Sequence, residues 1–411
     1  MRIFYASDNT PNPIFVSNLW RHNLYSSLVG LGHDVVEFQY DLRETFQNLN
    51  PEDPGRKEFI AENRPKVSEE LLRQIKLAHA AKPVELFFSY FYDACVLPEA
   101  IDEIRALGIK TVNWYCNGSY QLHLVTEISP HYDWCLVPEK FRLKDYMAMG
   151  ARPIYCQEAA NPNIYKPYDR PIEFDVTFVG QAYVDRPAYL KHLIEQGIDV
   201  RIWGYGWLEH FLEEPEPQIV EPPLVIPETV SPRPDRLLRA LYIERRLLTL
   251  EGWQAVLNRL SRSRQSKVAE PLPEPPPARI TFPSNMLGGV LSDLEMVQMY
   301  SRSKINLGFS SCGDTYRTNE RILQVRLRDF EVPMSGGFYM VEYMEELEEF
   351  YEIGKEIVCY ADVQDLADKI KYYLRHDSER ETIRLAGHTR CLRDHTWRRR
   401  FELAFKEMGL T

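Results

Sequence analysis

The sequence predicts an α/β protein of two doubly wound domains in tandem, facing across a cleft, with an insertion in the second. Three observations predict it. Strand, helix and strand recur in that order along both halves; a proline-containing junction at 161–167 separates them; and a proline-dense stretch over 213–280 interrupts only the second series.

Arg2 to Ala6 reads as an apolar strand that ends in the turn-forming Ser7-Asp8-Asn9-Thr10-Pro11-Asn12-Pro13 stretch. Val16 to Leu31 recovers helical spacing, Gly32 stops it, and Val35 to Phe38 starts a second strand. The same grammar returns at Val84 to Tyr92, Pro98 to Leu107 and Lys110 to Tyr115, and again at Trp134 to Val137 and Lys140 to Met149. Alternation of this kind packs as a mostly parallel sheet covered by helices, with ligands at the carboxyl ends of the strands. Residues 1–165 are therefore read as one domain.

A second domain, 172–390, follows the Asn161-Pro162-Asn163-Ile164-Tyr165-Lys166-Pro167 linker. Its strands are predicted at Asp175 to Val179, Asp199 to Trp203, Lys304 to Phe309, Phe338 to Val341 and Ile357 to Tyr360. Its helices fall at Arg186 to Gln196, Asp293 to Ser301, Thr318 to Asp329 and Asp362 to Arg375. Within the 213–280 insertion, prolines from Pro215 to Pro234 and from Pro271 to Pro277 flank a basic, Leu-rich helical stretch, Leu237 to Leu260. It could be a lid, an acceptor platform, a contact in a homo-oligomer or a tolerated surface insertion. Glu379 to Lys406 reads as helix broken near Gly387 and Thr396, and residues 391–411 are long enough to pack back on the first domain.

The 49 Lys and Arg against 60 Asp and Glu give a net charge of −11, which excludes a general attraction for nucleic acid. Seven cysteines, odd in number and without a C-x-x-C pair, read as thiols of a reducing compartment. With no signal-like leader and no apolar run long enough to cross a bilayer, the expectation is a cytoplasmic protein without a transmembrane segment.

The most informative stretch is Arg326-Leu-Arg328-Asp-Phe-Glu331-Val-Pro-Met-Ser-Gly336-Gly337-Phe338. It reads as a helix ending in two arginines and a glutamate, then paired glycines with free amides for a ligand. Arginine forks suit a diphosphate, and a carboxylate can accept both hydroxyls of a ribose. Gly180, Gln181 and Arg186, after the first strand of the second domain, make a further phosphate cradle at a helix start. Gly204-Tyr205-Gly206-Trp207 could offer an aromatic face to a base or sugar, with a packed turn as the alternative. Lys304 and Asn306 could point into the phosphate pocket or simply serve the strand that carries them.

Asp293 to Arg400 resembles the C-terminal domain of the CgeB-like glycosyltransferases, a branch of the GT-B group. The marks are Tyr300-Ser-Arg-Ser-Lys304-Ile-Asn306-Leu, Arg328 to Phe338, Glu349-Phe-Tyr-Glu-Ile-Gly354-Lys355-Glu356 and Asp394-His395-Thr396-Trp397. Asn113-Trp114-Tyr115, Ala148-Met-Gly150, Glu158-Ala-Ala-Asn161-Pro162 and Phe178-Val-Gly180 resemble the N-terminal half and junction of the same proteins. The resemblance implies two Rossmann-like domains, a nucleotide diphosphate-sugar such as a UDP-sugar held by the C-terminal one, and an acceptor of unknown identity on the N-terminal one. It puts Glu331 on the ribose. Many retaining relatives carry a glutamate eight residues earlier, where this chain has Leu323.

For an acceptor base, Asp8 and Asp93 lie at the carboxyl ends of strands of the first domain, although Asx-turn chemistry and a helix start are the stronger explanations of them. No metal-binding cluster stands out, so neither a metal nor another cofactor is expected and the activity should survive a chelator. The competing readings are a GT-B-shaped epimerase or phosphorylase and a non-catalytic scaffold.

Overall fold

A computed structural model of the chain describes residues 1–8, 19–213, 280–313, 315 and 321–410. Nearly all of the insertion and the residues around Thr318 lie outside them, as does most of the turn after Asp8. Residues 1–213 and 280–411 form one compact unit.

The first sheet contains β1 (Arg2–Ala6), β2 (Asp34–Glu37), β3 (Leu86–Ser89), β4 (Lys110–Trp114), β5 (Trp134–Val137) and β6 (Pro153–Tyr155). All pairs are parallel, in the order β2-β1-β3-β4-β5-β6. The second contains β7 (Phe174–Val179), β8 (Val200–Trp203), β9 (Ser303–Gly308), β10 (Tyr339–Glu342) and β11 (Val358–Tyr360), parallel throughout and ordered β11-β10-β9-β7-β8. Strands covered on both faces must be apolar along their length, and Leu86, Phe87 and Phe88 of β3 are fully buried in succession. Strand order reverses between β1 and β3 in one sheet and between β7 and β9 in the other. Chains leave such a switch point in opposite directions, which opens a crevice at the strands' carboxyl ends.

The predicted two-sheet α/β class holds, and the departures are local. A 26-residue helix, Arg56–Ala81, had no counterpart in the sequence reading. It buries only the narrow stripe of Val67, Ser68, Leu71 and Ile75, and it carries an internal but exposed Pro65. The helix predicted to end near Asp329 instead begins at Arg328 and runs to Met334, through Pro333. Arg326 N–H donates to Asp329 Oδ2 at 2.7 Å, which anchors the first turn. The carbonyl that Pro333 cannot serve, that of Asp329, accepts from Tyr351 Oη at 2.6 Å. Gly387 breaks no helix: Asp377–Asp394 is continuous, and a Cβ at 387 would lie 2.2 Å from the Glu356 carbonyl. Glycine there lets the helix approach that carbonyl.

The last helix, Trp397–Glu407, buries Trp397, Phe401, Ala404 and Phe405 in the core of the first sheet. Trp397 meets Trp114 at 5.3 Å and Phe401 meets Phe88 at 5.6 Å between ring centroids. The chain thus starts and finishes on the same layer. The 161–167 junction is packed rather than loose: Asn161 Nδ2 donates to the His22 carbonyl at 2.8 Å, and Tyr165 is buried.

Candidate functional site

The carboxyl ends of the two sheets enclose a cleft with two adjoining compartments of about 500 and 350 Å³. Trp20, Tyr90, Asn117, Gly180, Gln181 and Arg328 line both. The outer compartment adds Ser7 and Asp8 after β1, Tyr92 after β3, Tyr205 after β8, and an apolar wall of Leu49, Val290, Leu291 and Met296. Glu158, Tyr183, Arg186, Gln324 and Arg326 complete the polar part of the inner one.

Glycines let the second sheet's loops close on one another. A Cβ on Gly204 would stand 2.1 Å from the Gly180 carbonyl, and the φ of Gly204 is 136°. That carbonyl is held by Trp207 Nε1–H at 2.7 Å, and Gly180 N–H by the Trp203 carbonyl at 2.9 Å. The loop after β7 is therefore fixed in place before any ligand arrives.

Three guanidinium groups converge behind it. Arg186, 7% exposed, donates through Nη1 to the Gln181 carbonyl at 3.0 Å and through Nη2 to Tyr183 Oη at 3.1 Å, and it stacks 4.0 Å from the Tyr183 ring. Arg326 Nη2 donates to the Ser311 carbonyl at 2.5 Å. Arg328 pairs with Glu331 and donates to the Val179 carbonyl at 3.4 Å. Among the described residues neither Arg186 nor Arg326 has a carboxylate partner, and the buried Nε of each has no acceptor. Burial, and after it the positive Arg326 and Arg328, pull the Arg186 guanidinium down to about 10, so it is still charged at neutral pH. Buried cations without a counter-ion are costly unless an anion joins them.

Residues 255–405 match the family described as Glycosyl transferase-like. No curated protein sequence matches the chain. Among solved structures, a sucrose-phosphate synthase from Thermosynechococcus elongatus superposes with a TM-score of 0.56 at 13% identity, over 99% of this chain and 98% of that one. HepE of Anabaena in complex with UDP gives 0.52 at 11% identity, over 100% of each chain. A glycosyltransferase from Rickettsia africae gives 0.50 at 10% identity, over 99% and 97%.

The architecture is the GT-B fold. In the GT-B cleft of this chain lie Asp8, Gly180, Gln181, Arg186, Gly204, Arg326 and Arg328 of the residues singled out in the sequence. Others fall elsewhere. Asp93 turns away, accepting from the amides of Glu127 and Ile128 at 3.2 and 3.0 Å, and burial pushes its carboxyl up to about 6. Trp207 offers no face to a ligand; it is fully buried against Phe178, Phe211 and Phe282, while Gly206, at φ 87°, starts its short helix. Lys304 pairs with Asp175 at 2.6 Å at the amino ends of β9 and β7, the edge opposite the cleft. Asn306 is buried glue between strands, accepting from Thr177 Oγ1 at 3.1 Å and donating to the Tyr300 and Phe338 carbonyls.

The paired glycines form no phosphate cradle. They precede β10, and both amides are taken: Gly336 N–H by the Pro333 carbonyl at 2.9 Å and Gly337 N–H by that of Val332 at 3.0 Å. Gly336, at φ 72°, ends the helix, and Gly337 lets Asn306 pass. Glu331 is fully buried behind Arg328, and among the described residues its Oε1 has no hydrogen-bond partner. Leu323 lines neither compartment.

The sequence reading missed Trp20, Tyr90, Tyr92, Asn117, Glu158 and Gln324. Tyr90 and Tyr92 close the predicted Val84 to Tyr92 strand and Asn117 follows the predicted Lys110 to Tyr115 strand, so the carboxyl-end rule reaches them once the switch point is known. Glu158 stood only within a mark of resemblance and Gln324 carried no signal, because only the packing of one half on the other brings them to the cleft.

Proposed function

We propose that the chain is a glycosyltransferase that takes a sugar from a nucleoside diphosphate-sugar, within the CgeB-like branch of the GT-B group, and passes it to an acceptor bound beside the first sheet. One observation carries the reading: Arg186, Arg326 and Arg328 face a cleft at the sheet's switch point, and among the described residues two of them form no ion pair. A diphosphate supplies that charge, and guanidinium forks match its oxygens in pairs. The apolar wall of Leu49, Val290, Leu291 and Met296 beside Arg328 suits a nucleobase. Neutralisation by arginine removes the need for a divalent ion, so the activity is proposed to be metal-independent. Asp8 is the base candidate that borders the cleft, and Glu331 supports the ribose side through Arg328. Seven buried free thiols support a reducing, cytoplasmic setting, and no helix among the described residues is long and apolar enough to cross a membrane.

The test is thermal unfolding with UDP, GDP and their sugar conjugates in EDTA. A ligand at 100 times its dissociation constant adds about 2.7 kcal/mol. A rise in Tm with a nucleoside diphosphate, followed by acceptor-dependent release of that diphosphate from the sugar conjugate, is expected. The absence of any nucleotide-induced rise would remove the reading.

A further inference from the structure

The inner compartment is polar on both walls, and the two walls differ in charge. The second sheet contributes the three arginines. Facing them from the first half, on the loop after β6, is Glu158, the one acid among the residues that line this compartment. Glu158 is 5% exposed, and its carboxyl makes no hydrogen bond and no ion pair among the described residues. A buried carboxyl left without a partner costs stability and is expected to be satisfied by something that enters.

Its backbone, by contrast, is held on every side. Glu158 N–H donates to Gln157 Oε1 at 2.8 Å, its carbonyl accepts from Arg400 Nε at 3.4 Å, and Ala160 N–H two residues later donates to the His395 carbonyl at 3.1 Å. The C-terminal segment thus braces the loop from behind and leaves the side chain as its free end. That is the support a binding residue needs.

We propose that Glu158 binds a hydroxyl of the transferred sugar, holding the glycosyl group in the inner compartment while the arginines hold the diphosphate. The proposal rests on the glycosyltransferase reading. Gly180, Gln181 and Arg328 line both compartments, so a diphosphate beside them projects its nucleoside toward the apolar outer wall and its sugar toward Glu158 and Asn117. These are hydroxyl-binding groups; the outer wall has the aliphatic surface that a base requires.

The charge balance fits. Burial, opposed by Arg326 and reinforced by Glu139, Glu331 and Asp329, holds the Glu158 carboxyl well above the usual range. A neutral carboxyl does not repel the diphosphate, and it can both donate to and accept from a sugar hydroxyl.

The experiment compares dissociation constants of UDP and GDP with those of UDP-glucose, UDP-N-acetylglucosamine, UDP-galactose and GDP-mannose, for the wild type, Glu158→Ala and Glu158→Gln. Among the described residues the side chain has no hydrogen-bond or ion-pair partner to orphan, so both variants are expected to fold, and unchanged affinity for the bare diphosphate certifies it. For the sugar nucleotide that wild type prefers over its own diphosphate, Glu158→Ala is expected to lose at least tenfold. Glu158→Gln, which keeps a donor and an acceptor, is expected to lose less.

Equal loss for the bare diphosphate and its sugar conjugate overturns the proposal, because Glu158 would then act on the arginines. Unchanged affinity for both overturns it, as does a wild type that binds diphosphates but prefers no sugar conjugate. A wild type that binds no nucleotide at all overturns the underlying function instead.

Discussion

Arg328 reaches the cleft because Glu331, one helical turn further on and fully buried, accepts from its Nη1. The ion pair stands where the sequence suggested a carboxylate aimed at a ribose. What faces the cleft is the guanidinium, and the carboxylate fixes where that guanidinium points.

Replacing Glu331 with Ala is therefore expected to lower nucleoside diphosphate affinity at least tenfold without exposing a new pocket. Breaking a buried pair costs about 3–5 kcal/mol, and since Arg328 is partly exposed the expected loss of stability is smaller, about 1–3 kcal/mol. Urea unfolding and titration calorimetry on the same preparation check both numbers. Unaltered nucleotide affinity in a folded Glu331→Ala protein would detach Glu331 from the site.

Tyr351→Phe probes the irregular helix that carries this pair. The Tyr351 hydroxyl serves the Asp329 carbonyl that Pro333 leaves open. Without it a buried carbonyl is orphaned, at about 1–3 kcal/mol. The urea midpoint should fall by the corresponding amount, and a midpoint equal to that of the wild type would show that the carbonyl finds another donor.

The same segment shows how much of this protein can be read from its residues. Alternating strands and helices were visible because period, glycine stops and apolar runs are local. The 328–334 helix was misplaced because its start depends on Asp329 reaching back to Arg326, and its passage through Pro333 depends on Tyr351, distant in sequence. Gly336 and Gly337 looked like a ligand cradle, but a glycine pair reports only that the backbone must turn or something must pass close by. Arg186 and Arg326 were found because arginine at a helix start after a glycine loop, or beside a glutamate and paired glycines, suits a diphosphate. Glu158 was not, since its place opposite them is set by the braced β6 loop and the packing of the two sheets.

Glu139 links the halves through its Oε1, which accepts from Gln324 Nε2 at 3.4 Å, and burial pushes its carboxyl up to about 7. An unfolded glutamate titrates near about 4.3. Between those values the native state keeps a proton that the unfolded chain releases, so this residue's contribution is present at low pH and is lost as pH rises toward 7. The stability difference between wild type and Glu139→Gln should shift against wild type across that window, by at most about 1.4 kcal/mol per pH unit. Urea midpoints at pH 4.5, 6 and 7.5 measure it, and a difference independent of pH would mean that Glu139 is ionised throughout.

Arg186 gives the sharpest separation of stability from function. It is buried, its Nε has no acceptor among the described residues, and its neighbours Arg326 and Arg328 carry the same charge. Removing an uncompensated buried cation relieves desolvation and repulsion, and an apolar side chain of similar length fills the space. Loss of the stacking on Tyr183, about 0.5–1 kcal/mol, and of the hydrogen bonds to the Gln181 carbonyl and Tyr183 Oη takes back part of that gain. Arg186→Met is therefore expected to unfold, without ligand, at a urea concentration no lower than wild type. The same variant should lose the Tm rise produced by a nucleoside diphosphate, because the anion that repaid the burial no longer finds its fork. A scaffold residue would show the reverse, with stability falling and ligand response intact. That pattern would reassign Arg186 to the core and leave the diphosphate to Arg326 and Arg328.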